Sequence, residues 1–171
     1  VDDEELWKKI NRQDERAFDA FYRQSAPRLQ AFLRQIVGNR EAAEDLTQES
    51  YLQLWRRPGS YRPERGSLRG YLYGVGRKRA AEWWRSKQPS AEAAEEPADA
   101  AGAESSSVMS DALQRLPEEQ RSLLWLREVE GQSYAELAEI LDIPIGTVRS
   151  RLFTAREALR QVWQAGARRS L

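Results

Sequence analysis

The chain has 171 residues, 40% hydrophobic and 32% charged, with 27 Lys and Arg balanced by 27 Asp and Glu. Having neither Cys nor His, it can form no disulfide, no thiolate or imidazole metal site, and no Ser-His or Cys-His nucleophilic pair. No apolar run approaches the ~20 residues of a membrane span, and the stretch VDDEELWKKI is too charged for a signal peptide, so a cytoplasmic protein without membrane insertion is expected.

In chain order, residues 4–12 predict a short helix with Leu6, Trp7 and Ile10 on one side. Ala17, Phe18, Phe21 and Tyr22 begin a second, and Pro27 opens or kinks its continuation through Leu29, Phe32, Leu33, Ile36 and Val37. Gly38-Asn39 ends that run, with Asn39 placed to cap the next helix. The next helix, Glu41 to about Arg57, is expected to bury Ala42, Leu46, Leu54 and Trp55. It leaves Glu44, Asp45, Gln48, Glu49 and Gln53 for solvent or a partner. The stretch PGSYRPERG, residues 58–66, has two Pro, two Gly and one aromatic and reads as a loop. Ser67 then caps a basic helix reaching about Lys87, with Leu68, Tyr71, Leu72, Val75 and Trp83 facing inward. Trp83 and Trp84 are adjacent and cannot both face the core. The spare ring is either a packing residue, the reading favoured here, or a stacking surface for bases.

Periodicity vanishes over residues 88–107. Ala, Glu, Ser and Pro dominate there, and the stretch is expected to be a flexible acidic linker. Twenty such residues relax to about 25 Å end to end and stretch to roughly 65 Å. Beyond it, Ser110–Leu116 predicts a short helix, and Pro117-Glu118-Glu119 opens another with acidic residues at its positive end. Leu123, Leu124, Leu126 and Val129 supply a core there, and Gly131 stops the helix.

Ser133 and Glu136 form a capping-box pair ahead of Tyr134, Leu137, Ala138 and Leu141. Asp142-Ile143-Pro144 breaks the run, and Ile145, Val148, Leu152, Ala155, Leu159 and Val162 then make the apolar stripe of a long second helix. Arg149, Ser150, Arg151, Phe153, Thr154, Arg156 and Arg160 lie mostly off that stripe. Two helices, a tight turn and a cationic second helix describe a helix-turn-helix whose second helix enters the major groove. A plain helical hairpin with a solvated Arg face is the alternative.

The zero net charge conceals a partition. Residues 56–87 carry +8 and residues 144–171 carry +5, whereas residues 88–112 carry −6. Two separated basic blocks suit a polyanion held at two places. Arg outnumbers Lys 23 to 4, which favours bidentate contacts with phosphate and guanine.

LPEEQRSLLWLREVEGQSYAELAEILDIPIGTVRSRLFTAREAL closely resembles the promoter-binding C-terminal domain of bacterial sigma factors, most of all the small extracytoplasmic-function class. DLTQESYLQLW, with GSLRGYLYGVGRKRA downstream, is similar to that class's N-terminal domain. The resemblance implies an all-α protein of two small helical domains, residues 1–87 and 108–171, joined by the linker 88–107. It implies a transcription initiation factor with no catalytic residue, cofactor or metal, whose partners are core RNA polymerase, promoter DNA and an anti-sigma factor. Asp45, Gln48, Glu49 and Gln53 would meet the polymerase; a solvated acidic face is the bland reading. Tyr61, Arg62, Arg77, Lys78 and Arg79 would hold the flipped base of the −10 element, although the family often has Asn where this chain has Lys78. Arg149, Ser150, Phe153 and Thr154 would read the −35 element, with Arg151 and Arg156 as phosphate or intrahelical partners. Asp142 stands where the family often has Gly, and Asp tolerates the left-handed conformation such a turn requires.

Two other classes compete with the sigma factor. A regulator that binds DNA without polymerase would usually carry a sensor domain, and residues 1–87 show no alternating β/α pattern. A nucleic-acid enzyme would need clustered carboxylates for metals, and none is evident.

Overall fold

The computed structural model describes residues 2–87 and 108–169, so the expected linker lies outside the described residues. These form two units, one built mainly from residues 2–87 and the other mainly from residues 108–169, with no strand among the described residues.

The first unit holds α1 (Asp3–Asn11), α2 (Glu15–Val37), α3 (Arg40–Arg56) and α4 (Leu68–Ser86), with 3-10 turns at Pro58–Ser60 and Pro63–Arg65. Helix α2 starts two residues earlier than its apolar pattern suggests. The cause is Asp14, whose carboxylate accepts the Ala17 amide at 3.1 Å. Pro27 neither opens nor ends a helix; α2 runs through it, clamped by packing on α3 and α4. Gly38 adopts φ 68° and closes α2, while Asn39 caps α3 by accepting the Ala42 amide at 3.0 Å, as its place in the sequence implies. At Gly76 on α4 an added Cβ would lie 3.1–3.3 Å from Leu29 and Leu33, so glycine permits the close approach of α2 and α4.

Helix α3 is rotated relative to the sequence expectation. Its inner face is Ala43, Leu46, Thr47, Ser50, Tyr51 and Leu54, and Ala42 and Trp55 are only half-buried. The rotation is possible because Thr47 and Ser50 donate their hydroxyls to the Ala43 and Leu46 carbonyls, each at 2.7 Å. Bonded to their own helix, they enter the core without stranding a polar atom. Tyr51 is the hub of this face. Phe18, Phe21 and Tyr22 pack around its ring, and its hydroxyl shares a short hydrogen bond with Ser25. On α4 the inner face is Leu68, Leu72, Tyr73, Val75 and Ala80, whereas Tyr71 is half-buried.

The second unit comprises α5 (Val108–Gln114), α6 (Glu118–Leu124) continued by a π-helical turn (Trp125–Val129), α7 (Tyr134–Leu141) and α8 (Ile145–Arg169). Leu113, Leu116, Leu124 and Ala155 form a buried cluster, with Trp125, Ala158, Leu159 and Val162 packed on it. Two expected core residues lie outside. Val129 is 55% exposed, because the Glu130 amide reaches back five residues to Trp125 at 3.1 Å and the widened turn swings Val129 away from Leu126. Ile145 is 46% exposed, because side chains in a helix lean toward its N-terminus and the first residue projects past the end of the stripe.

Burial raises the Tyr51 hydroxyl from 10.0 to about 12, with the Ser25 bond opposing the shift. The group's contribution to stability is therefore whole below pH 10. It is lost as the pH rises toward about 12, where the unfolded chain has shed the proton that the fold retains. Urea unfolding across that window should show a steeper loss for the wild type than for Tyr51→Phe.

Candidate nucleic-acid interface

On the first unit the phase of α3 puts Asp45, Gln48 and Glu49 in solvent and leaves Gln53 half-buried. Two of the four are tied to the basic helix. Arg79 donates to Glu49 at 3.3 Å and to the Gln53 carbonyl oxygen at 2.9 Å. The Gln53 amide nitrogen in turn donates to the Tyr71 hydroxyl at 3.4 Å, and Tyr71 shares a 2.5 Å hydrogen bond with Ser60. One polar chain therefore runs from the acidic edge of α3 through α4 to the loop 58–66. Nothing in the spacing of these residues announces it, because Ser60 and Tyr71 are individually unremarkable.

The loop itself departs from expectation at Tyr61. Far from presenting its ring to a base, Tyr61 is 3% exposed; its hydroxyl donates to the Gly66 carbonyl at 2.9 Å, and its ring meets Trp7 and Tyr71 edge-on. Burial first, and then the nearby Asp3, push its hydroxyl up to about 12. The sequence offers Tyr61 as the lone aromatic of a Pro- and Gly-rich loop, and a loop with so little else apolar turns that ring inward to hold its own shape. Arg62 and Lys78 are exposed, while Arg77 and Arg79 are half-buried. Trp83 is half-buried, as expected, and Trp84 is 43% exposed, yet it is Trp84 that bonds to α2. Trp84 donates to the Ile36 carbonyl at 3.0 Å, and Trp83 stands edge-on to it with the Lys87 ammonium 4.3 Å from its ring centre.

On the second unit, Ser133 caps α7 by accepting the Glu136 amide at 3.1 Å. The turn that follows holds Asp142 at φ 54°, the left-handed conformation its place demands. The Ile143 amide closes the end of α7 on the Ala138 carbonyl at 3.1 Å. Helix α8 then buries Val148, Leu152 and Ala155 and exposes Arg149, Ser150, Phe153 and Thr154, with Phe153 69% in solvent. Its cations divide into two kinds. Arg151 pairs with Glu119 on α6 at 2.5 Å, and Arg156 pairs with Glu128 of the π turn at 2.8 Å. Both partners lie on other elements, so these two arginines tie α8 to its unit and make no intrahelical pair, one of the two roles expected of them. Arg149 has no ion pair among the described residues.

The Sigma-70 region 2 model matches residues 21–89, and the Sigma-70 region 4 model matches residues 107–159. The chain belongs to the sigma-70 family. It is similar to the RNA polymerase sigma-H factor of Pseudomonas aeruginosa, 27% identical over 95% of this chain and 94% of that protein. The extracytoplasmic-function RNA polymerase sigma-E factor of Haemophilus influenzae is 28% identical over 92% and 93% of the two chains. Among solved structures it shares the fold of the sigma factor RpoE from Bartonella quintana, determined in complex with the anti-sigma factor NepR. That likeness has a TM-score of 0.68 at 22% identity, over 86% of this chain and 96% of that one. The protein is thus a transcription initiation factor of the extracytoplasmic-function class. No helix among its described residues is long and apolar enough to cross a membrane, and no group of carboxylates among them is placed to hold a metal ion.

The left-handed turn of this sigma factor gives a direct check on its helix-turn-helix. Asp142→Val should destabilise the second unit by about 1–2 kcal/mol, whereas Asp142→Gly should be tolerated, as read by thermal unfolding of the full chain.

Proposed function

We propose that residues 1–87 dock core RNA polymerase and capture the −10 element, and that residues 108–171 read the −35 element, with 88–107 as the tether between them. Polymerase binding is assigned to Asp45, Gln48, Glu49 and Gln53, which share the edge of α3 turned away from the core. The −10 surface is assigned to Arg62, Arg77, Lys78 and Arg79. Arg79 stands where the two surfaces meet, since Glu49 and Gln53 already hold it. Tyr61 is assigned to the loop's interior and not to the base.

The observation that carries this reading is the division of α8. Val148, Leu152 and Ala155 face the core while an unpaired Arg149 and a bare Phe153 face out. Arg can bond both acceptors of guanine, and an apolar ring can meet the methyl of thymine. Ser150 and Thr154 spend their hydroxyl protons on the Thr147 and Ser150 carbonyls, each at 3.1 Å, and so offer DNA chiefly acceptor lone pairs. Arg151 would have to leave Glu119 to reach a phosphate, so its main part is orienting α8. The protein acts without an active site of its own, in the cytoplasm. Control by an anti-sigma factor is inferred from the complex in which its structural relative was determined.

Charge reversal at Asp45 and Glu49 together should abolish capture by core polymerase in a pull-down while leaving −35 duplex binding intact. Loss of DNA binding instead would mean that the two faces are assigned in reverse. Arg149→Ala should weaken binding to the preferred −35 duplex by about 1–3 kcal/mol and much less on unrelated duplex. Equal weakening on both would make it a phosphate contact.

A further inference from the structure

The loop between α3 and α4 has little of its own to keep its shape. Its two 3-10 turns bury none of their residues, and Tyr61 between them is the one buried side chain from Pro58 to Gly66. It is held from α4, where Tyr71 meets Ser60 and the Tyr61 ring, and from α1, a helix that precedes the region 2 match beginning at residue 21. Trp7 donates its indole N–H to the Pro58 carbonyl at 2.7 Å, at the loop's entry. The same indole lies edge-on to Tyr61, with ring centres 6.1 Å apart. At the loop's exit the Asp3 carboxylate accepts the Leu68 amide at 2.9 Å, one of the free donors at the start of α4. Ile10, fully buried, anchors α1, which packs on α2 and on the first 3-10 turn.

We propose that α1 is a brace for −10 recognition, with Trp7 and Asp3 as positioning residues that set the base-capturing loop from its two ends. This rests on the reading that the loop and the head of α4 take the −10 base. Unstacking a base costs a few kcal/mol, recovered only by a pocket that is already shaped to receive it. A loop of Pro, Gly and charged residues would otherwise have to be ordered at the moment of capture, and the ordering would be subtracted from the gain. Trp7 and Asp3 touch no DNA in this scheme; they act through the Pro58 carbonyl, the Tyr61 ring and the Leu68 amide.

The test uses the full chain assembled with core RNA polymerase on a promoter fragment selected by this holoenzyme from random sequence. The fragment carries 2-aminopurine, which brightens when unstacked, at the flipped −10 position. Trp7→Phe keeps the ring and removes the donor; Asp3→Ala removes the cap, and Asp3→Asn restores an acceptor. The first two should each lower the equilibrium constant for the bright state by roughly two- to tenfold, the worth of one hydrogen bond. Asp3→Asn should recover most of the loss, and affinity for core polymerase should stay at the wild-type value in all three. If core affinity falls in step with the fluorescence, α1 merely supports the bundle and the proposal is overturned. Lys78→Ala and Arg62→Ala, run beside them, separate the two ideas. Should they dim the signal while Trp7→Phe and Asp3→Ala do not, the brace fails and the loop assignment stands. If none of the four dims it, both fail together.

Discussion

The working surfaces of this sigma factor depend on the rotational setting of two helices, and buried side chains fix that setting. A helix packed along one stripe has no freedom to turn without exposing that stripe. On α3 the stripe from Ala43 to Leu54 faces α2 and α4, and Asp45, Gln48 and Glu49 are thereby turned to solvent. On α8 the burial of Val148, Leu152 and Ala155 does the same for Arg149 and Phe153. The contacts proposed with promoter and polymerase are in this sense by-products of core packing, and a substitution that rotates either helix would displace several of these side chains at once.

Polar groups inside the first unit do more than fill space. Thr47 and Ser50 reach the core bonded to their own helix, and Tyr51 does so with Ser25 as its partner. The chain from Glu49 through Arg79, Gln53 and Tyr71 to Ser60 lies closer to the surface and joins elements assigned to different partners. Its ion pair is partly exposed, so its worth lies in geometry more than in stability. A protein that docks on Glu49 and Gln53 necessarily meets the residues that hold Arg79, and Arg79 is one of the cations the −10 strand would seek.

The second unit separates its arginines by a similar logic. Glu119 and Glu128, from the segment just before the helix-turn-helix, take Arg151 and Arg156. Acidic residues close to a helix proposed to read DNA would repel a polyanion, yet these two are taken up by Arg151 and Arg156 and leave Arg149 without an ion pair among the described residues. The π turn contributes by placing Glu128 toward α8 while sending Val129 outward.

Much of the architecture was legible in the residues alone. Helical periodicity, the caps at Asn39, Ser67 and Ser133, and the stops at Gly38 and Gly131 are local signals, and local chemistry is enough to produce them. The left-handed Asp142 and the outward Arg149, Ser150, Phe153 and Thr154 follow from spacing around one turn. Only the tertiary structure decided that Thr47 and Ser50 belong to the core of α3, that Tyr61 turns inward, that Trp84 and not Trp83 bonds to α2, and that Trp7 and Asp3 reach the ends of a distant loop. Each of these depends on which partner a hydroxyl, ring or carboxylate finds across the fold. A sequence read one element at a time carries the capacity for such a bond, but the position of the partner is settled only when the helices pack.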